Sequence, residues 1–325
     1  TVDVSLQYFL SDATFEQDEN AAWTEQGNAL TGTNLQVSNG YLVGGRIDNS
    51  GFGGSARYNE RQSKNHDGAL HLTWRPADRW RFDLDVQRAL ASTEAADLTM
   101  GSPMGNVTPN SLPADVIDFD LRLNGDSKPQ IAINPNSVMT DPNWYAYGWA
   151  MDHYEDTDAD GWAYRADGEY TFDNSDWLDR IRFGLRHENY DSTTRETGYR
   201  WGAVSPAWGT DPTTFASGRA SHEQQNYAEW FHGGRAPGAY LFPNTNTFRS
   251  REAFTNPVLS VRTDANGWTP WNGNYYDTSP AADGALLALF AVDLVNSTAH
   301  ILLAPAWRPH LGGVPAGQTL VHLAS

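Results

Sequence analysis

The chain has no cysteine, which excludes a disulfide framework and thiolate chemistry. Positive charge is scarce: 22 Lys and Arg face 40 Asp and Glu, a formal net charge of −18. Phosphate binding needs a basic face, so a nucleic-acid partner is excluded. Long apolar runs are also missing. The nearest, GALLALFAVDLVNSTAHILLA, is broken by Asp293, Asn296 and His300 and falls short of the roughly 18 to 20 apolar residues of a membrane helix. The opening TVDVSLQYFL has no basic stretch followed by an apolar one, so no signal peptide is visible. It starts in mid-strand pattern, which predicts a piece of something longer.

Cofactor and catalytic motifs are missing too. There is no G-x-S-x-G, no phosphate-binding Walker loop and no dinucleotide glycine pattern. His222-Glu-Gln-Gln-Asn226 ends in Asn where a zinc protease has its second His, and His232 is off that helical face. With 40 carboxylates, a pair at glycosidase spacing is expected by chance and does not indicate hydrolysis. The expectation is a protein without cofactor, metal or bond chemistry.

Aromatic rings are abundant. The 13 Trp, 14 Tyr and 13 Phe belong to a chain of mean hydropathy −0.57. Such rings suit sugar stacking and membrane–water interfaces alike.

Strand periodicity dominates. VDVSLQYFL puts Val2, Val4, Leu6, Tyr8 and Leu10 on one face. GALHLTW offers Leu70, Leu72 and Trp74, and WRFDLDVQ offers Trp80, Phe82, Leu84 and Val86, with Arg81, Asp83, Asp85 and Gln87 opposite. The turn between them is RPADR, which predicts a hairpin. A second hairpin is predicted from WAYRADGEYTF and RIRFGLRHENY. Pairing Phe172 with Ile181 sets Tyr170 against Phe183, Asp167 against Arg186 and Arg165 against Glu188, with both charge pairs of opposite sign. VIDFDLRL (116–123) also alternates and reads as a strand within a loop.

Ahead of that hairpin, Asp156-x-Asp158-x-Asp160-Gly161 matches the opening of a calcium loop. Position 12 is Asp167 where bidentate ligation wants Glu, and no helices flank it. The strand reading is preferred. Residues 75–79 and 173–180 read as short turns, and 92–161 and 192–280 as long loops. One apolar face, one charged face and loops long on one side only are the layout of an outer-membrane β-barrel. Residues 281–325 change character: Leu and Ala replace the acids, and DGALLALFAVDLV reads as a short helix.

Three stretches carry a resemblance: SARYNERQSKNHDGALHLTWRPADRWRFDLDVQRALASTEAADLTMGS, NWYAYGWAMDHYEDTDADGWAYRADGEYTF and WLDRIRFGLRHENYDSTTRETGYRWGAVSPAWG. Each resembles the barrel of TonB-dependent outer-membrane receptors, in particular the subgroup that imports oligosaccharides. EWFHGGRAPGAYLFP is similar to a loop of that group, and the likeness spans about residues 1 to 255. It implies an all-β fold, an antiparallel transmembrane β-barrel of about 22 strands with long extracellular loops. This chain would supply a fragment of it over residues 1–280, without the family's plug. Residues 281–325 do not look like the family and stay unassigned.

The resemblance further implies residence in the outer membrane of a Gram-negative bacterium. Outer-membrane lipid would surround the chain, and TonB would supply energy through the plug. The implied ligand is an oligosaccharide, or a siderophore-type chelate. Trp144, Tyr145, Tyr147, Trp201, Trp208, Trp230 and Phe231 fall in the two longest loops, in segments that resemble the extracellular side. They are expected to gather near the mouth and stack on sugars, against the alternative that each packs inside its own loop. The rival reading of the whole is a soluble secreted all-β carbohydrate-binding protein or glycoside hydrolase.

Overall fold

The computed structural model describes residues 1–25, 31–48, 51–104, 117–123, 130–173, 177–206, 211–227, 238–277, 285–294, 297–303 and 321–323. It is mostly antiparallel β. The strands are β1 Val2–Glu25, β2 Thr31–Ser38, β3 Tyr41–Asp48, β4 Gly51–Ala77, β5 Trp80–Met104, β6 Asp118–Arg122, β7 Gln130–Asn134 and β8 Trp149–Thr171. They continue with β9 Leu178–Glu196, β10 Arg200–Ala203, β11 His222–Asn226, β12 Ala239–Pro243, β13 Tyr276–Asp277, β14 Ala285–Leu294, β15 Ser297–Leu303 and β16 Val321–Leu323. One α-helix, α1 (Arg251–Val261), is found among the described residues.

The main sheet runs β1-β4-β5-β8-β9-β14-β15-β16, with β10 added to β8 and β13 to β9. The first predicted hairpin forms as expected: Leu70, Leu72 and Trp74 stand opposite Val86, Leu84 and Phe82. Asp78 and Arg79 make the turn. Because Trp80 also pairs with Tyr170, this turn and the β8–β9 connection lie at the same end, called here the turn end. At the opposite, loop end, β1, β4, β5, β8 and β9 all give way to long excursions. The excursions build two small sheets, β2-β3-β6-β7 and β11-β12. Asn39 and Gly40, with φ of 51° and 82°, close the β2–β3 hairpin in the twist that suits its strands. The predicted strand within 116–123 is β6.

Three expectations need correction. The strands run much further into the presumed loops: residues 92–104 belong to β5 and 149–161 to β8. Asp156, Asp158 and Asp160 therefore lie on extended backbone, opposite Arg195, Thr193 and Asp191 of β9. The β8–β9 register is two residues from the expected one. Tyr170 faces Ile181, and Arg165 faces Arg186, because Phe172 N–H bonds Asp179 at 2.8 Å and closes a shorter connection. A two-residue slip keeps every face, so Tyr164, Tyr170 and Phe183 still share the apolar side. Two charge pairs settle along a strand, Arg165 with Asp167 at 2.5 Å and Arg186 with Glu188, and one directly across, Arg182 with Glu169 at 2.7 Å.

Within the DGALLALFAVDLV segment, Ala285–Leu294 is strand β14, paired to β9. A continuous apolar run reads alike as helix or strand, and the unpaired edge of β9 decides between them by offering a ladder. Separately, His222–Asn226 is strand β11 against β12; the zinc-protease motif, set aside on the sequence, would need a helix there.

The hydrophobic core lies wholly at the loop end. It joins Phe52, Ala56, Tyr58, Leu98, Met100 and Tyr154 of the long strands to Trp144, Tyr145, Tyr147, Phe215, Phe242, Phe254 and Trp268 of the excursions. Helix α1 is capped by Ser250, which accepts from Ala253 N–H at 3.1 Å. It buries the i, i+4, i+7 stripe Phe254, Val258 and Val261.

Candidate functional site: an aromatic platform on the charged face

Odd positions of β1 and β8 share one face of the main sheet, the charged face. Near the turn end it is a self-satisfied polar ladder. His71 and Asp85 are 2.6 Å apart, Thr73 donates to Asp83 at 2.6 Å, and Gln87 donates to Asp67 at 2.7 Å. At the loop end the same face turns aromatic. Trp23 of β1, Trp149 of β8 and Trp201 of β10 form a row. The first two stack with centroids 6.4 Å apart, and Trp149 meets Trp201 at 4.8 Å.

Local sequence explains the row. Gly53 stands opposite Trp23, and Gly101 opposite Trp149. A methyl group at Gly101 would overlap the Trp149 indole, so the glycine lets that ring lie across β5 toward Trp23. Trp201 is presented by β10, which pairs with residues 149–152 of β8. On the opposite side of β10, Arg200 donates to Thr269 O at 3.0 Å and lies 3.7 Å from Asp152. Trp268 Nε1 donates to Asp152 at 3.1 Å. Burial pushes the Asp152 carboxyl above its usual value, against the pull of Arg200 and Trp268.

Beside the tryptophans, Tyr199 stacks on His153 at 4.3 Å. Arg57 is gripped by both oxygens of Asp97, at 2.7 and 2.5 Å, and approaches Glu19 at 3.5 Å. Its guanidinium is raised above the usual value, first by the Asp97 hydrogen bond. Thr99 lies between Arg57 and Met151 in the same row. Its hydroxyl is buried with no hydrogen-bond partner among the described residues, at a cost in stability. Trp201 and Tyr199 are 59% and 61% exposed. The arrangement offers flat apolar faces beside charged hydrogen-bonding groups, the chemistry that recognises a sugar.

The sequence-predicted residues divide. Trp201 is in the platform. Trp144, Tyr145 and Tyr147 are buried in the loop-end core, at 7%, 0% and 0% exposure. Tyr145 donates to Met139 O at 2.7 Å, and Tyr147 to Ala220 O at 2.8 Å. Both rings pack on Phe215, and burial raises both phenols. Trp208, Trp230 and Phe231 lie outside the described residues. Trp23, Trp149, Tyr199, His153 and Arg57 were not singled out as site residues. Position parity could have found Trp149: carried back through the aspartates, the β8 alternation puts 149, 151 and 153 on the face of Arg165 and Asp167.

A cavity of about 380 Å³ opens elsewhere, lined by Lys64, His66, Leu90, Ser92, Asp158, Asp160, Asp191 and Thr193 among others. Most of these side chains project from the opposite face, between the apolar band and the loop-end core, so the cavity is separate from the platform. No family model, no curated protein and no solved structure matches the chain.

Proposed function

We propose that the chain is part of an outer-membrane β-barrel of the TonB-dependent receptor type that binds an oligosaccharide at its loop end and passes it inward. One observation carries this reading: the turn-end half of the sheet is apolar and exposed on one face while mostly polar and charged on the other. Val2, Val4, Leu6, Tyr8 and Leu10 are all more than half exposed, Leu185 is too, and Leu70, Trp74, Leu84 and Phe183 are nearly so. The row from Val2 to Leu10 spans roughly 27 Å along the strand, close to the height of a bilayer's apolar band. Trp74, Trp80, Phe82 and Tyr170 cluster at its turn-end margin, as an interfacial girdle does. In water so wide an apolar patch would drive aggregation. In lipid it is the required surface, and the charged face becomes a lumen wall.

The platform lies on that wall at the loop end, where an incoming ligand is met first. Transport past it would take energy from TonB acting through a plug, with no bond made or broken.

Reconstitution tests the reading. The chain should need detergent or lipid to stay dispersed, and lipid should protect the turn-end strands from labelling while the loop end stays reactive. A monodisperse, folded chain in plain buffer would overturn it in favour of a soluble carbohydrate-binding protein. For the site, Trp201→Ala should weaken oligosaccharide binding with the amount of folded protein unchanged.

A further inference from the structure

We infer that the platform selects saccharides by charge, taking chains that carry free amino groups in preference to neutral ones and rejecting those that carry carboxylates. The inference rests on the saccharide reading above and names the ligand class within it.

Stacking on indole does not distinguish a neutral sugar from a charged one, so the polar groups on the same face decide. The row that holds Trp201 also holds Glu19 and Arg57. The next row toward the turn end holds Asp97 and His153, and the one after that Arg61, Glu155 and Glu196. Four carboxylates thus face two guanidinium groups. Both arginines are engaged. Asp97, whose side chain is 4% exposed, holds Arg57 with two hydrogen bonds. Both oxygens of Glu155 accept from Arg61, at 3.2 and 3.1 Å. Asp97 occupies Nε and Nη2 of Arg57, so a ligand carboxylate could reach only Nη1, where it would sit against the like charge of Glu19.

A cation meets the reverse situation. Glu155 and Glu196 stand directly opposite one another on β8 and β9, a like-charge pairing that costs stability. A single arginine faces this pair. Glu19 is 3.5 Å from Arg57, a distance at the limit of a hydrogen bond. An ammonium group placed between these carboxylates relieves the repulsion. The exposed Tyr199 ring, stacked flat on His153, offers a further cation-binding face. No partner has to be broken.

The test uses the full chain in detergent and one short β-linked hexosamine oligomer in three forms: N-acetylated, de-N-acetylated and oxidised to the uronate at C6. At low salt the de-N-acetylated form should bind about tenfold more tightly than the acetylated one, and the uronate more weakly than either. Added salt should narrow the gap. In Glu196→Gln and Glu19→Gln the amine preference should shrink while binding of the acetylated form persists. Equal affinity for the three forms, or tighter binding of the uronate, overturns the inference and leaves the saccharide reading standing. An amine preference unchanged in both variants overturns it too, because the discrimination then lies elsewhere. If no form binds to chain shown to be folded by its near-ultraviolet circular dichroism, the saccharide reading itself falls.

Discussion

On the apolar face of strand β4, Ala56 and Tyr58 are buried, while Leu70 and Trp74 are nearly half exposed. All four have the same parity in one uninterrupted strand. Alternation therefore fixes which side a residue points to, and something else fixes what it meets there. At the loop end the excursions fold back over the sheet and enclose it. At the turn end the connections are short, no described residue folds back over this face, and the same pattern is left facing outward.

Truncating the enclosed half should have the largest effect. Phe254 is fully buried, edge-on to Phe248 at 5.1 Å and to Trp268 at 5.7 Å. Phe254→Ala should cost about 3 to 5 kcal/mol, seen as a lower denaturant midpoint in tryptophan emission. A loss below about 1 kcal/mol would mean that the loop-end core is not packed as described.

Charge insertion probes the outward half. In bilayers, Leu84→Arg on the apolar face should cost about 2 to 4 kcal/mol. Gln87→Arg on the charged face should cost well under 1 kcal/mol. Equal penalties on the two faces would erase the distinction between them.

A smaller effect tests the Asp152 contact beneath Trp201. Burial raises the folded carboxyl above its unfolded value, so the native state keeps this proton longer. Stability should rise slightly as pH falls through the folded value toward 3.8. Asp152→Asn keeps an acceptor for Trp268 and should change stability by less than about 1 kcal/mol, while removing that gain in acid. A large loss would instead make the Arg200 ion pair the dominant contact.

The smallest expected effect belongs to His222, stacked on Phe215 at 5.1 Å. Burial lowers its imidazole below 6.5. Its contribution is fully present above 6.5 and is lost as pH falls through the folded value. His222→Gln should flatten this slope in loop-end melting while leaving the turn end unchanged.

Much of this comparison was legible in the sequence. Period-two alternation placed Leu70, Phe82, Tyr164 and Phe183 on one face without coordinates. Short and long connections were sorted to opposite ends because their lengths differ so plainly. Register was not legible. Opposite charges on facing strands admit several alignments, and here Arg165 and Arg186 satisfy their charges along their own strands. Strand length was hidden because polar stretches such as Asp156 to Asp160 read as loop when their partners are unknown. The same ambiguity conceals the platform, because a residue in a loop has no assigned face and Trp149 gains one only once β8 is seen to begin there. Burial of Tyr145 and Tyr147 was equally hidden, since it depends on Phe215 arriving from a distant excursion.

The two kinds of connection also set an order of events for the unfolded chain. Pairing β4 with β5 closes a loop of two turn residues, Asp78 and Arg79. Joining β5 to β8 must gather everything between Met104 and Trp149, a loop roughly twentyfold longer. The longer closure costs about 3 kcal/mol more in chain entropy. Hairpins with short connections, such as β4–β5 and β8–β9, are therefore expected to form first. Their lateral joining, together with collapse of the excursions, is the slow non-local step. The platform is complete only after that step, since its three tryptophans come from β1, β8 and β10.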